Sequence, residues 1–554
     1  MKKGALLLAV LWCSRGFAQL VNNDSVIPPV ATAKPAYNAL TSDAVYDSRL
    51  VRIAADPGIA SVGRDVFGND SRHHFTTDQP WSRTGAYFLL QNGRGQGHCS
   101  ITKANCLAAC PTLPPPDGRT QTCLDRPPPC LGVCENLVLN GTTYAPIANV
   151  HARIAFSDGT SAGYRDADSW WSLLPGEESI RVAISNVRGK VGLFKYDALT
   201  SKMLIDDPPS FWASTFTGGL ALSDSQGQSW DGTIQVAIKA DHKKIQLIKA
   251  IPGGIVGPEF DVYTQAQGIA SALCHPSPPE KGCRITQAQV SPSGEYVVLN
   301  YPGDVTRVLA VDPTDLSLRE LDYRVAPAIP GLKALPGCFM ENSQAGLAHG
   351  FITDLGHKSV GRNPVTQHDV VVGVNACAGL AGTSPAGHPS LVDVGYIVMQ
   401  DLTLGRVTSL THSTTQSPEA VAMHTSCLAY EAPGWVVATY YPWTAGAHRK
   451  YEGEVVRIKM DGGTIERYGL THTEGHTLTR CEPHAVERPS GGAIAVASCW
   501  TNNCGTDPPP WPDSCDPTSS LTNVPGCGPC NWTQRQDYIF TPKRHLEAEP
   551  VTER

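Results

Sequence analysis

Short stretches in which apolar and polar residues alternate recur along the chain, each behind a turn that contains glycine. Ser291-Pro-Ser-Gly-Glu-Tyr-Val-Val-Leu-Asn shows the pattern most plainly. It returns in Gln79-Pro-Trp-Ser-Arg-Thr-Gly-Ala-Tyr-Phe-Leu-Leu, Gln228-Ser-Trp-Asp-Gly-Thr-Ile-Gln-Val-Ala-Ile and Arg488-Pro-Ser-Gly-Gly-Ala-Ile-Ala-Val-Ala-Ser. A second phrase follows, an apolar strand that runs into a polar tight turn. Examples are Val191-Gly-Leu-Phe-Lys-Tyr-Asp, Val308-Leu-Ala-Val-Asp-Pro, Tyr396-Ile-Val-Met-Gln-Asp and Val455-Val-Arg-Ile-Lys-Met-Asp-Gly. A period of two places side chains alternately on the two faces of a sheet, so both phrases predict strands. No long stretch carries the helical period. Turn-strand units start near His73, His151, Gly218, Ile285, His349, Val421 and Gly475. A hairpin pair repeated every few dozen residues predicts an all-β chain, a seven-bladed β-propeller with disulfide-rich loop insertions. A polar lead from about Gln19 to Asp47 is expected to wrap the first or last blade, and Gln536-Asp-Tyr-Ile-Phe540 to close the seventh, so that the chain ends meet in one blade.

Composition adds a compartment. Glycine (52 residues) and proline (44) are plentiful, as a turn-rich sheet protein requires. Lys2 and Lys3, the apolar stretch Ala5 to Trp12 and the small residues of Gly16-Phe-Ala18 read as a signal peptide over 1–18. The remaining segments are a lead and propeller start over 19–70, the propeller over 71–545 and a tail over 546–554. Of 18 cysteines, six lie in a proline-rich insertion at 99–134 and five in another at 499–530. That density suits an oxidising compartment, so the expected location is secreted or periplasmic. Cys274 and Cys283 are expected to close a small loop. The loss of Cys13 with the signal leaves an odd number, hence at least one free thiol. The formal net charge is −7 and no basic run occurs, which argues against nucleic acid as a partner. No apolar stretch is long enough for membrane insertion. The expected state is a monomer.

Histidines supply the candidate chemistry. His357, His424 and the pair Glu482 and His484 each stand just before a strand, in units five, six and seven. Ligands from three neighbouring blades at one depth would form a facial histidine and carboxylate metal site. Alternatively, each histidine caps its own strand by hydrogen-bonding a neighbouring blade's backbone. Neither a nucleophile-elbow GxSxG nor a P-loop occurs.

Three stretches resemble oligogalacturonate lyase-like seven-bladed propellers. They are Cys481-Glu-Pro-His-Ala-Val-Glu-Arg-Pro-Ser-Gly-Gly-Ala-Ile-Ala-Val-Ala-Ser-Cys-Trp, His424-Thr-Ser-Cys-Leu-Ala-Tyr-Glu-Ala-Pro-Gly-Trp-Val-Val-Ala-Thr-Tyr and His73-His-Phe-Thr-Thr-Asp-Gln-Pro-Trp-Ser. The likeness runs at motif level from Arg72 to Phe540 and leaves both cysteine-rich stretches unmatched. It implies that His357 is similar to the family's catalytic base. His424, Glu482 and His484 are then similar to ligands of a divalent metal, manganese or calcium-like. Glu482 stands where the family has a histidine, Thr479 near its glutamine, and Arg324 is the nearest candidate for its assisting arginine. The implied activity is that of an exported, metal-assisted polysaccharide lyase, or a related carbohydrate-active enzyme, acting on an acidic polysaccharide or oligosaccharide by β-elimination. The alternative is a non-catalytic secreted propeller, a binding or scaffold module that recognises a glycan or a protein.

Overall fold

A computed structural model describes residues 25–27, 33–56, 59–62, 67, 70–92, 136–150, 153–155, 161–163, 169–187, 190–203, 211–216, 220–221, 227–263, 284–301, 306–321, 355–375, 397–405, 407–411, 419–420, 422–441, 448–473, 483–498, 500 and 535–542. The expected signal segment, both cysteine-rich insertions, Cys274 and Cys283, the C-terminal tail, Arg324, Thr479 and Glu482 lie outside the described residues. Cys427 is the one cysteine among the described residues, and it is a buried free thiol.

Every named element is a strand, as the alternating pattern predicts. Taken in chain order, the strands form consecutive antiparallel meanders. The first runs through Asp70–Arg72, Tyr87–Asn92, Asn136–Asn140 and Pro146–Val150. The second runs through Ser169–Trp171, Ile180–Val187, Lys190–Asp197 and Lys202–Met203, with Arg153–Ala155, Ser161–Gly163 and Phe211–Ala213 at its margins. The third spans Leu220–Ala221 to Phe260–Asp261 and the fourth Gln287–Val290 to Leu318–Glu320. The fifth spans Leu355–Arg362 to Val407–Ser409 and the sixth Ala422–Ser426 to Ile465–Leu470. The seventh is composite: Ala485–Glu487, Ile494–Ser498 and Arg535–Pro542 come from the end of the chain, and Ser48–Arg52 from its beginning. Leu40–Asp43 adds an outer edge. Parallel pairing of Asp70 and Ser71 with Arg535 and Gln536 ties the seventh meander to the first.

The cores between these meanders give their order in space. Seven apolar clusters occur among the described residues; six lie between meanders consecutive in this numbering and one between the seventh and the first. Leu89 and Val138 of the first meet Trp171 and Phe194 of the second. Trp170 and Val182 then meet Ala237 and Ile248 of the third. The adjacent tryptophans of one strand thus face two different cores, as strand geometry requires. The last cluster returns to the start, where Ala495 and Ile539 of the seventh pack on Trp81, Phe88 and Leu90 of the first. The order is circular and propeller-like. Neighbouring sheets bury both faces of central strands such as Ile397–Asp401 and Ile494–Ser498, whose residues are all buried.

The repeated phrases are repeated geometry. In Ser82–Tyr87, Ser229–Ile234, Ser291–Tyr296 and Arg488–Ala493 the first residue's amide donates to the last residue's carbonyl at 2.8–2.9 Å. Within each, the glycine amide donates back to the first residue's carbonyl at 2.8–2.9 Å. Those glycines, Gly85, Gly232, Gly294 and Gly491, have φ of 75° to 80°, a region other residues enter at a cost. The aspartates of the second phrase close their turns with their own carboxylates. Asp197, Asp312, Asp401 and Asp461 each accept the amide two residues on, at 2.8–3.0 Å.

Candidate functional site

First strands of the fifth, sixth and seventh meanders bring the predicted histidines together. His357 lies in Leu355–Arg362 and His424 in Ala422–Ser426, each at a bulge in its strand pairing, and His484 directly precedes Ala485–Glu487. Bulges re-aim side chains that a regular strand would direct into the intersheet cores. His357 also has φ of 43°, a strained conformation for a residue with a side chain. The ring centroids of His357 and His424 are 4.2 Å apart, and those of His424 and His484 are 4.8 Å apart. Threonines pin the backbones. Thr425 Oγ1 donates to the His357 carbonyl at 2.8 Å, and Thr439 Oγ1 donates to the Pro483 carbonyl at 2.9 Å.

The first meander completes the cluster with residues that the sequence reading had not assigned. Arg72 Nη1 lies 2.9 Å from His484 Nδ1 and donates to the His74 carbonyl at 3.0 Å. A guanidinium only donates, so His484 Nδ1 accepts, and the proton of a neutral His484 sits on Nε2. Phe75, three residues on, packs against all three imidazoles, with centroids 4.6 Å from His484, 5.4 Å from His424 and 6.0 Å from His357. Asp537 of the seventh meander clamps the chain between them. It accepts the His73 amide at 2.6 Å and His73 Nδ1 at 2.8 Å, with both side chains fully buried. Gln79 donates to the carbonyls of Leu428 and Glu487, both at 2.9 Å, which joins the first meander to the sixth and seventh. Arg72 stood at the edge of the His73-His-Phe phrase in the sequence, yet nothing in its local pattern marked it. Its role comes from a partner 412 residues away.

The opposite end of the histidine-bearing strands is closed by other residues. Trp230, in the first turn of the third meander, lies 6.0 Å by ring centroid from Tyr430, in the corresponding turn of the sixth. These meanders are not neighbours in the circular order, so the pair reaches across the axis. Arg83, Glu178, Glu431 and Asp78 surround Tyr430 closely enough to perturb its hydroxyl.

His424 is the most buried of the three imidazoles, and burial holds its pKa well below the ordinary histidine range. Positive charge on His357 and Arg72 acts in the same direction, and the Pro483 carbonyl opposes it. His424 is thus a neutral imidazole at pH 7. Arg72 occupies Nδ1 of His484, and among the described residues no three His, Cys, Asp or Glu side chains are set to hold a metal ion. Glu482 lies outside the described residues.

A second depressed histidine provides a stability prediction. His472 stacks on Trp500, with ring centroids 3.8 Å apart, and burial pushes it down from 6.5 to about 4. Between those values the unfolded chain takes up a proton that the folded chain refuses. The contribution is fully present above the unfolded value and is lost as pH falls below it. Lowering pH from 7 to 5 should cost about 2 kcal/mol through His472. His424 adds to the loss in the same direction. Urea midpoints measured at both pH values check this, and His472→Phe should flatten the dependence.

No family model matches the chain, and no curated protein matches it. Solved structures do. An oligogalacturonate lyase in complex with manganese is similar at 10% identity over 91% of this chain and 95% of its own, with a TM-score of 0.42. An oligogalacturonate lyase from Vibrio parahaemolyticus is similar at 9% identity over 91% of this chain and 96% of its own, with a TM-score of 0.40. The β-propeller domain of Cps50 (Swd1) from Myceliophteria thermophila is similar at 9% identity over 78% of this chain and 96% of its own, with a TM-score of 0.35. With likeness this distant, neither the manganese nor the activity of those enzymes passes to this chain by resemblance.

Proposed function

We propose that the chain is an exported seven-bladed propeller that cleaves an acidic polysaccharide or oligosaccharide by β-elimination at its axial histidine cluster. The observation that supports this is the convergence of His357, His424 and His484 from three consecutive sheets, with the Arg72 guanidinium on the third imidazole. β-Elimination requires a base beside a carbon made acidic by a neighbouring carboxylate. In this reading His357, the least buried of the three imidazoles, takes the proton from that carbon. The C–H electron pair becomes the new double bond, the bond to the leaving oxygen breaks, and that oxygen is protonated as it departs. His424, kept neutral, adds no positive charge that would raise the cost of protonating His357. Incubation with polygalacturonate and with other uronic-acid polymers, followed by the ultraviolet absorbance of the unsaturated product, tests the reading. A rise lost on boiling is expected. No rise with any uronan would move the chain to the alternative, a secreted glycan- or protein-binding module. Phe75 is the observation that favours that second reading, because its ring packs against all three imidazoles.

A further inference from the structure

We infer that the end of the axis opposite the histidines is a docking surface for a protein segment rich in lysine and arginine, with Trp230 and Tyr430 at its centre. The inference stands apart from the lyase reading, because it uses no residue of the histidine cluster. The surface is built by the turns that join the first and second strands of each meander, and these turns touch one another all the way round. Thr84 Oγ1 donates to Glu178 at 2.7 Å, from the first turn to the second. Gly232 of the third turn and Gly434 of the sixth lie so close to Leu174 and Pro364 that an added Cβ would come within 2.6–2.7 Å of them. The Trp230 amide donates to the Pro292 carbonyl at 3.1 Å, the Ser293 amide to Asp369 at 3.0 Å and the Glu431 amide to the Pro489 carbonyl at 2.9 Å. Arg488 Nη2 closes the ring on the Gly85 carbonyl at 3.5 Å. Trp230 and Tyr430 are partly exposed, yet Trp230 Nε1 and the Tyr430 hydroxyl are buried. The pair thus turns its polar tips inward, and aromatic carbon is what a docking cation would meet. Around the pair the charge is negative. Asp231, Glu295 and Glu431 are exposed, each on a different turn. Arg83 and Arg488 are the only lysine or arginine residues on these turns, and both are bonded to backbone carbonyls, of Leu173 and Gly85. The Tyr430 pKa is raised well above its ordinary value by burial first and then by Glu431, with Arg83 opposing and Glu178 and Asp78 adding. Carboxylates on three separate turns are more than one ammonium group can reach, so the surface suits several cations carried on one chain. An aromatic centre inside a charged rim is also the anatomy of protein interfaces.

The test uses the purified full chain and a fluorescent peptide of lysine, arginine and glycine. A glutamate-glycine peptide, a serine-glycine peptide and free spermidine serve as comparisons. Anisotropy titrations at low salt should show saturable binding of the basic peptide, at least about tenfold tighter than either other peptide or spermidine. Raising the salt to about 0.15 M should weaken it. Trp230→Ala should weaken basic-peptide binding by about tenfold or more, and Glu295→Gln combined with Glu431→Gln by about threefold or more. Thermal melting confirms that each variant is folded. The glutamine pair removes no buried side chain, and it carries the comparison if Trp230→Ala does not fold. Absence of saturable binding, or binding unmoved in a folded variant of either kind, overturns the inference. So does a serine-glycine or glutamate-glycine peptide that binds as tightly as the basic one. Spermidine as tight as the basic peptide overturns the choice of a protein segment and assigns the surface to small organic cations.

Discussion

Deleting residues 40–52 is expected to abolish the cooperative fold. Ser48–Arg52 is the strand by which the beginning of the chain completes the last sheet, in register with Arg535–Pro542 from Ser48 opposite Pro542 to Arg52 opposite Tyr538. Leu50 contributes to the core between the sixth and seventh meanders, and Ile53, Ala54 and Ala55 just beyond it contribute to the core between the seventh and the first. Arg52 is buried as well and donates to the carbonyls of Ala54 and Pro35, which fold the entering chain onto the closure. Without the strand, two cores lose a wall and Arg535–Pro542 loses its antiparallel partner on that side. Deleting one large buried side chain costs about 2–5 kcal/mol, and whole domains are stable by about 5–15 kcal/mol, so loss of a complete strand exceeds what the remainder can offset. The unpaired edge also offers a template to other chains. The variant should be recovered as aggregate or as a species without a cooperative melt by circular dichroism. A soluble monomer that melts as sharply as wild type would show that the ring does not depend on this closure.

Much of this architecture is legible in the residues because each repeated phrase encodes its own local geometry. Serine or arginine at the start of a turn, with glycine three residues on, specifies the paired hydrogen bonds seen at Ser82, Ser229, Ser291 and Arg488. Aspartate at the end of the third strand specifies its own turn closure. The site is only half legible, for the complementary reason. His357, His424 and His484 lie in or just before the first strands of their meanders, and a repeated fold brings such positions together. Arg72, Phe75 and Asp537 follow no repeat. They meet because the first and last meanders are joined by pairing across the ends of the chain, a contact with no local signature. Arg324 lies outside the described residues, while the guanidinium that reaches the cluster comes from the first meander. Trp230 and Tyr430 escape sequence reading in the same way, since only the circular order sets them face to face.

Replacing His357 by asparagine should reduce turnover of an acidic oligosaccharide by about 100- to 10,000-fold and leave its binding nearly unchanged. The choice of asparagine follows from the backbone. At φ of 43°, most substitutions would mix lost chemistry with altered strain, whereas asparagine tolerates the left-handed region better than most residues. His357 is also less buried than His424 or His484, so its removal opens little apolar space and the melting temperature should move little. Arg72 remains on His484, so the rest of the cluster keeps its arrangement and affinity for an acidic oligosaccharide should hold. An effect on turnover without an effect on affinity identifies a group that acts in the transition state rather than in holding the substrate. The same substitution at His424 should instead disturb both, because that imidazole touches His357 on one side and His484 on the other. Turnover by His357→Asn within threefold of wild type would exclude His357 as the proton acceptor and leave the two buried imidazoles as the remaining candidates in the cluster.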